Sequence, residues 1–164
     1  MCDDIWYEAG PDTAQVYNGA EIIVNISASP YYFGRGTFRE RMLAARAADN
    51  VAIVAYNNLV GGQDELVFDG NSMVLDEKGQ LIARGKQFEE DLIVADVDVK
   101  SVARARLRDP KRRRDVLFME EQGWCGTKIV VSEALPLSRK PLLPPRQVES
   151  LGLSAEVYEA LVLG

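Results

Sequence analysis

The sequence predicts an α/β fold, and three observations support this prediction. A short apolar run at residues 22–26 is followed by a turn, an amphipathic helical segment and a second apolar run at residues 51–56. Strand, loop, helix and strand in this order form a βαβ unit. Two further strand-like segments are joined by the turn residues 76–79. With 164 residues, 47% of them hydrophobic, the chain is long enough for one domain with its own core.

The segment before the first strand is predicted to be a loop. Two pairs of turn-forming residues, at 10–11 and 18–19, leave room for at most a short helix near residues 12–17. The run at 22–26 lacks the strict alternation of a half-buried strand, so we expect a strand that is covered on both faces. Residues 28–36 then form a polar and aromatic loop in which two glycines allow a tight turn.

The next segment has the pattern of a capped amphipathic helix. Thr37 and Glu40 match a capping box, in which the hydroxyl and the carboxylate satisfy free backbone donors of the first turn. We expect the helix to run to about residue 49, with its arginines largely on the solvent face. Its expected apolar stripe consists of Phe38, Met42, Ala45 and Ala48.

Downstream of the second strand the pattern becomes mainly β. Residues 59–65 are expected to form a loop at the carboxyl end of a strand, where α/β sites usually gather. The next predicted elements are hairpin strands at 66–75 and 80–84, a strand at 92–99 and a helix at 101–108.

Past Pro110 the chain changes character. Prolines and glycines predict an irregular linker, and Ser154 is expected to cap a last helix at residues 155–163. That helix stops almost as soon as it starts, and a cysteine stands at the opposite end of the chain. We therefore expect the sequence to be a piece of a longer protein.

Composition excludes several classes of site. The chain contains no histidine, so Ser-His-Asp triads, Cys-His pairs and His-ligated metal sites cannot be assembled from it. Its two cysteines, Cys2 and Cys125, are too few for a four-thiolate zinc site or a disulfide framework. No metal site is expected. A nucleophile in this chain would have to use a carboxylate, a lysine or the chain's own amino group as its base.

Charge and hydropathy restrict the partners. The formal net charge is −6, and the basic run at residues 104–114 has no interleaved aromatic residues, so we expect no binding to nucleic acid. That run is expected to be a solvated helix face or a subunit contact. No apolar stretch reaches the ~20 residues that cross a bilayer, and no signal-peptide pattern is present. We therefore expect a cytoplasmic protein without membrane contact.

Cys2 is the candidate nucleophile. The alternative is that Cys2 is a small apolar residue without a chemical role. The neighbouring carboxylates of Asp3 and Asp4 disfavour a thiolate, so a reactive thiol here would need a nearby cation, and Arg35 is a candidate. Cys125 is expected to have no catalytic role.

A group of short segments carries a specific resemblance. They are residues 2–6 (CDDIW), 25–31 (NISASPY), 34–35 (GR), 39–42 (RERM) and 57–68 (NNLVGGQDELVF). Together they resemble the carbon–nitrogen hydrolase (nitrilase-superfamily) domain of glutamine-dependent NAD synthetases, and residues 60–70 discriminate this branch best. The resemblance is strong over residues 2–98, and residues 157–164 resemble the approach to the synthetase domain of that family.

The resemblance implies a fold and a division of the chain. The fold is a partial nitrilase-like αββα sandwich, about the second half of the domain, with an irregular C-terminal linker. Residues 1–100 would be the C-terminal part of the hydrolase domain. Residues 101–164 would be a helix and an extended linker toward an absent synthetase domain, which would hold the ATP and Mg²⁺ that the family uses. No cofactor is expected in this chain itself.

The resemblance also implies site residues. Cys2 would attack the side-chain amide of glutamine, with the Asp3 backbone N–H in the oxyanion hole. In the family a glutamate moves protons and a lysine stabilises the oxyanion, and both precede the cysteine by long stretches, so we expect the chain alone to be inactive. Ser29 and Arg35, with Trp6 as a weaker companion, match positions that contact glutamine. A hydroxyl and a guanidinium suit an α-amino acid.

Other interpretations remain open at this point. The chain could be a fragment of another nitrilase-superfamily amidase, or a catalytically inactive module kept for assembly or interaction. Removal of Met1 could also leave Cys2 as an N-terminal nucleophile that uses its own amine as base. The expected partners are glutamine, further copies of the chain, and the missing half-domain and synthetase domain. Because half of the sandwich is missing, exposed sheet is expected to favour self-association.

Overall fold

The computed structural model describes residues 4–8, 10–121, 123, 126–133, 143, 144, 146 and 148–164. Within these residues, a short 3₁₀ helix at Asp4–Trp6 precedes five α-helices: α1 (Pro11–Tyr17), α2 (Arg35–Asn50), α3 (Val99–Arg108), α4 (Arg112–Glu121) and α5 (Leu153–Leu163). The strands are β1 (Ile22–Ser27), β2 (Ile53–Asn58), β3 (Val60–Gln63), β4 (Leu66–Asp69), β5 (Met73–Leu75) and β6 (Leu81–Arg84). This mixed α/β architecture confirms the predicted fold class.

The predicted βαβ unit is present. Strands β1 and β2 are parallel neighbours, in register from Ile22 beside Ile53 to Ser27 beside Asn58, and α2 connects them. Strands β5 and β6 extend the sheet in antiparallel fashion, giving the order β1-β2-β5-β6. The turn between β5 and β6 is the hairpin turn that the sequence predicts.

Three predictions for residues 59–99 are wrong. Residues 66–75 form two strands, because the backbone takes positive φ at Gly70 (61°) and Asn71 (52°) and breaks the run there. The first of them, β4, pairs with β3 in a separate two-stranded sheet, so most of the expected loop at 59–65 is β-structure. Residues 89–98 carry no strand despite their alternating pattern, and they precede α3 without a pairing partner among the described strands.

Helix α2 starts earlier than the sequence predicts and buries a different face. Its N-cap is Gly34 with φ 77°, and the helix begins at Arg35, so Thr37 lies inside the first turn and the expected capping box does not form. Phe38 is 54% exposed, and Ala45 and Ala48 are exposed as well. The buried positions are instead Gly36, Arg39, Leu43, Ala47 and Asn50.

The C-terminal third contains more structure than an irregular linker. Helix α4 occupies residues that the sequence assigns to the linker, and α5 begins at Leu153 after a Gly152 N-cap, so Ser154 is not its cap. Within the basic run, Arg106 Nε donates to Val51 O at 3.0 Å and Arg112 Nη2 donates to Val16 O at 3.0 Å. Burial lowers the pKa of Arg106 to about 10. These arginines therefore hold α3 and α4 onto the body of the chain.

The apolar core lies on the α2 side of the four-stranded sheet. It is built from Ile5, Val16, Ile23, Leu43, Ala47, Ala52, Val54, Tyr56, Met73 and Leu75. The opposite side of β1 is open: Val24 is 68% and Ile26 is 75% exposed. The expectation that β1 is covered on both faces is therefore wrong for this chain. No helix in the described ranges is long and apolar enough to cross a bilayer.

We expect the open apolar side of β1 to cause reversible self-association. Strand β1 stands at the end of the sheet order and also presents apolar side chains, which favours edge or face contacts between copies. Val24→Lys should weaken this association by about tenfold or more, because the ammonium cannot be buried at the contact. Sedimentation velocity over a concentration series measures the effect.

Gln63→Lys is the matched control, since it adds the same charge at an exposed position on β3. It should leave the association constant unchanged. A chain that sediments as a single monomeric species at every concentration would contradict the prediction.

Candidate functional site

The candidate site is built around Arg35, the first residue of α2. The left-handed turn at Gly34 directs the chain out of the loop after β1 and into the helix. From that position Arg35 Nη1 donates to Tyr32 Oη at 2.7 Å, and Nη2 donates to Ser29 Oγ at 3.3 Å. A guanidinium has five N–H donors, so these two bonds leave donors on both terminal nitrogens for a ligand.

Aromatic rings surround the Arg35 guanidinium. Its central carbon lies 3.9 Å from the centroid of the Trp6 ring and 4.8 Å from that of Tyr32. Trp6 is in turn stacked on Phe38, with ring centroids 5.8 Å apart and an interplanar angle of 17°. Cation–π contacts of this kind are worth about 0.5–2 kcal/mol each and fix the orientation of the planar group.

Ser29, Arg35 and Trp6 therefore lie together in the structure. The sequence names these three residues as substrate contacts through a family resemblance, and the structure brings them into one contact network. Their role in binding a substrate stays a prediction. Tyr32 is a further hydrogen-bond partner of Arg35.

Ser29 belongs to a buried polar cluster, which we define as Ser29, Arg39, Asn58 and Asp69. The Ser29 backbone N–H donates to Asn58 Oδ1 at 2.8 Å. Its carbonyl accepts from Asn58 Nδ2 at 3.3 Å and from Arg39 Nη2 at 3.4 Å. Ser29 itself is 2% exposed. Both backbone groups of Ser29 are thus fixed, and its hydroxyl is presented to Arg35 in one orientation.

A bidentate ion pair forms the centre of the cluster. Arg39 donates to Asp69 through Nη1 at 3.0 Å and through Nη2 at 2.9 Å, and both side chains are fully buried. Asn58 Nδ2 also donates to Asp69 Oδ1 at 3.3 Å. A bidentate pair, in which a guanidinium donates two parallel hydrogen bonds to one carboxylate, is the strongest geometry available to these groups. The ion pair therefore connects α2 to β4 beside Ser29, and the bond from Asn58 adds β2.

Sequence reasoning missed the roles of Arg39, Asn58 and Asp69. A signal for Arg39 was available, because it lies four residues before Leu43 and eight before Ala47, on the face that α2 buries. Asn58 ends a strand that runs parallel to β1, so it meets the end of β1 beside Ser29. Asp69 carried no local signal, since its partner is 30 residues away in sequence.

The proposed nucleophile Cys2 and the Asp3 backbone N–H lie outside the described residues, and so does Cys125. Among the residues that are described, no group of three or more cysteine, aspartate or glutamate side chains is arranged to hold a metal ion.

The described geometry suits recognition of a small anion. A guanidinium that is stacked on an indole and anchored by a buried serine is pre-organised, so little rotamer entropy is lost when it pairs with a carboxylate. Tyr32 and Ser29 occupy one donor on each terminal nitrogen and hold the plane of the group. The arrangement can therefore bind and orient a carboxylate-bearing ligand. Covalent chemistry would have to come from a neighbouring nucleophile.

A family model, carbon–nitrogen hydrolase, matches residues 1–107. Over 163 residues the chain is 42% identical to the glutamine-dependent NAD(+) synthetase of Aquifex aeolicus, a match that covers 99% of this chain and 28% of the relative. It is 38% identical over 170 residues to the enzyme of the same name from Thermotoga maritima, again with 28% of the relative covered. The chain thus spans 28% of the length of these relatives.

Solved structures give a consistent result. The glutamine-dependent NAD+ synthetase of Acinetobacter baumannii, in complex with ADP, superimposes with a TM-score of 0.64 and 25% sequence identity over 99% of this chain and 23% of that one. A carbon–nitrogen hydrolase from Helicobacter pylori matches with a TM-score of 0.60 and 23% identity over 74% of this chain and 46% of its own. The second likeness concerns the fold alone.

Proposed function

We propose, from the premise that the chain belongs to the carbon–nitrogen hydrolase family, that it is part of the glutamine-hydrolysing domain of a glutamine-dependent NAD synthetase. The observation that carries this proposal is the Arg35 guanidinium, anchored by Ser29 and stacked on Trp6, because it is shaped to take the carboxylate of an amino acid. Ser29 and Arg35 are the positions at which the family is expected to contact glutamine.

In the proposed reaction the Cys2 thiolate attacks the carbon of the glutamine side-chain amide. The carbonyl oxygen becomes an oxyanion and accepts hydrogen bonds from the Asp3 backbone N–H and from a lysine of the longer protein. A glutamate of the longer protein delivers the thiol proton to the leaving nitrogen, and ammonia departs as the thioester forms. Water then attacks the thioester, which releases the product glutamate and restores the Cys2 thiol. One oxyanion donor is commonly worth ~3–4 kcal/mol.

Residues of the described site would position the substrate for this attack. Arg35 pairs with the α-carboxylate of glutamine, and the Ser29 hydroxyl adds a polar contact beside it. Trp6 is four residues after Cys2 in the sequence, so the same segment supplies the nucleophile and one wall of the Arg35 site. Fixing the α-carbon end of glutamine orients its amide for the thiol, which is a contribution of proximity.

The proposal extends to the whole protein only through the relatives. The synthetase domain would use the ammonia, together with ATP and Mg²⁺, to convert deamido-NAD to NAD, and no residue of this chain is assigned to those groups. The 164 residues alone are proposed to be inactive, since the family's glutamate and lysine lie in sequence that precedes the nucleophile. A cytoplasmic location, a homo-oligomeric state and the division at residue 100 are parts of the same proposal.

A chimeric enzyme tests the proposal directly. The 163 aligned residues of the Aquifex aeolicus synthetase would be replaced by this chain. We expect the chimera to make NAD with glutamine as nitrogen donor. Cys2→Ala should reduce glutamine-driven synthesis to below about 0.1% of the rate of the parent chimera. Ammonia-driven synthesis should stay intact, because only amide hydrolysis needs the thiol.

Cys125→Ala is the matched control, and it should behave like the parent chimera with both nitrogen donors. Glutamine-driven synthesis that survives Cys2→Ala would overturn the assigned nucleophile. A chimera that uses ammonia but not glutamine, even with Cys2 intact, would overturn the proposed function.

A further inference from the structure

Helix α5 turns a carboxylate inward. Five of its six large apolar residues are exposed, namely Leu153, Val157, Tyr158, Leu161 and Val162, whereas Glu156 is only 5% exposed. Burying a charged side chain while apolar side chains face solvent is costly, so it points to a specific task for the carboxylate. Helix α5 also lies outside the residues 1–107 that the carbon–nitrogen hydrolase model matches.

The partner of Glu156 is the beginning of α2. A Cβ placed on Gly36 would lie 3.8 Å from Glu156 Oε1 and 3.0 Å from Asn71 Nδ2, so the carboxylate faces the first turn of α2 closely. That turn has no cap of its own: the N-cap is Gly34, which has no side chain to accept a hydrogen bond, and no acidic residue lies in the first turn. A carboxylate at this end is favourable because helix N-termini carry partial positive charge.

Arg35 makes this contact more important. The guanidinium of Arg35 adds a full positive charge to an end of the helix that already favours anions and disfavours cations. Glu156 supplies the compensating negative charge from a different element of the chain. Arg35 is flanked by Gly34 and Gly36, whose wide backbone freedom would otherwise let the turn adopt other conformations.

The groups that face Glu156 come from three elements. Burial raises the pKa of Glu156, and the negative charge of Asp69 on β4 raises it further. Hydrogen bonding with the Gly34 backbone N–H and the charge of Arg39 lower it. Tyr31 also lies within electrostatic range: burial raises the pKa of the Tyr31 hydroxyl, and the charge of Glu156 raises it further. Glu156 is therefore linked to the same polar cluster that holds Ser29.

Other contacts fix α5 at both ends. Before the helix, the Leu151 N–H donates to Gln87 Oε1 at 2.8 Å. At its end, α5 packs against β4, and a Cβ on Gly62 of β3 would lie 3.2 Å from Leu163 O. A displacement of α5 along the β3–β4 hairpin would thus move Glu156 away from α2.

We propose that Glu156 is a positioning residue, which holds the Gly34–Gly36 turn in the conformation that places Arg35 between Trp6 and Tyr32 and thereby couples helix α5 to the substrate-binding residues. The coupling to substrate rests on the proposed function. The structural part of the proposal, that Glu156 orders the beginning of α2, is independent of the proposed function.

Glu156→Gln in the 164-residue chain tests the structural part. Hydrogen–deuterium exchange, read by mass spectrometry, should become about tenfold faster for the amides at residues 34–38 and stay unchanged in β2. The melting temperature should not fall. Burial raises the folded-state pKa of Glu156, so the ionised carboxylate lowers the stability of the fold at pH values above its unfolded pKa. The neutral amide of the glutamine substitution removes this cost. Glu159→Gln, on the same helix, is the matched control.

The same two substitutions in the chimeric enzyme test the coupling to substrate. Glu156→Gln should raise KM for glutamine about three- to tenfold with little change in kcat, and Glu159→Gln should change neither. Unchanged exchange at residues 34–38 would overturn the proposal, and so would faster exchange that spreads over the whole chain with a lower melting temperature. Faster local exchange in a chimera that never uses glutamine would leave Glu156 as an ordering residue and would count against the proposed function instead.

Discussion

We expect Asp69→Ala to remove about 3–5 kcal/mol from the free energy of unfolding, which is a large part of the ~5–15 kcal/mol that holds a domain of this size together. The substitution leaves the guanidinium of Arg39 buried and without its charge partner, since both side chains are fully inaccessible. Urea denaturation followed by circular dichroism measures the loss. Glu65→Ala, which removes an exposed carboxylate from the same β3–β4 hairpin, should change stability by less than about 0.5 kcal/mol.

A double substitution separates charge from packing. In Arg39→Met with Asp69→Leu, no buried charge remains unpaired, so the double variant should be more stable than either single variant. Ser29 would still lose the Arg39 contact to its carbonyl. We therefore expect a folded protein in which the proposed glutamine site is less well ordered. A double variant no more stable than the singles would show that the ion pair acts through shape and not through charge compensation.

The parts of this fold that could be predicted depend on local pattern. Residues 22–26 and 51–56 are apolar and β-branched, and a helix between them leaves parallel pairing as the favoured arrangement, which the structure confirms. Helix α3 was predictable within two residues for the same reason. Its start is fixed by Asp98, whose side chain accepts from the Lys100 N–H.

Features set by distant contacts could not be predicted in this way. The face that α2 buries is determined by Asp69, whose carboxylate turns a charged residue of the helix into an interior one. The start of α2 depends on the left-handed conformation of Gly34, and the capping pattern that begins three residues later, at Thr37, obscured it. Glu156 gave no signal because most of the large apolar residues of α5 are on its exposed side, the reverse of the usual amphipathic pattern.

The candidate site also contains residues that could be predicted and residues that could not. Ser29, Arg35 and Trp6 were named from a family resemblance, and their proximity follows from the loop after β1 and the 3₁₀ helix at the N-terminal end. The residues that hold them, Arg39 and Asn58, follow from the pairing of β1 with β2 and the packing of α2. These supporting contacts depend on the three-dimensional fold and could not be predicted from the sequence.

Removal of the Arg35 guanidinium should have the largest effect on substrate use. In the chimeric enzyme, Arg35→Ala is expected to lower kcat/KM for glutamine roughly 10- to 150-fold, which corresponds to the ~1.5–3 kcal/mol of a hydrogen bond to a charged group. Arg35→Lys should recover part of this loss, because it keeps the charge but loses the planar fork that Tyr32 and Ser29 hold in place. Arg41→Ala, at an exposed position of the same helix, is the control.

A truncated substrate identifies the group that Arg35 binds. The amide 4-aminobutanamide is glutamine without its α-carboxylate, so its hydrolysis should be slow in the parent chimera and nearly indifferent to Arg35→Ala. The interaction between the substitution and the substrate change then isolates the contact between guanidinium and carboxylate, as in a double-mutant cycle. Equal losses for both amides would mean that Arg35 supports the shape of the loop and does not bind the carboxylate. In that case the guanidinium between Trp6 and Tyr32 would be a structural element, and the carboxylate would need a different cation.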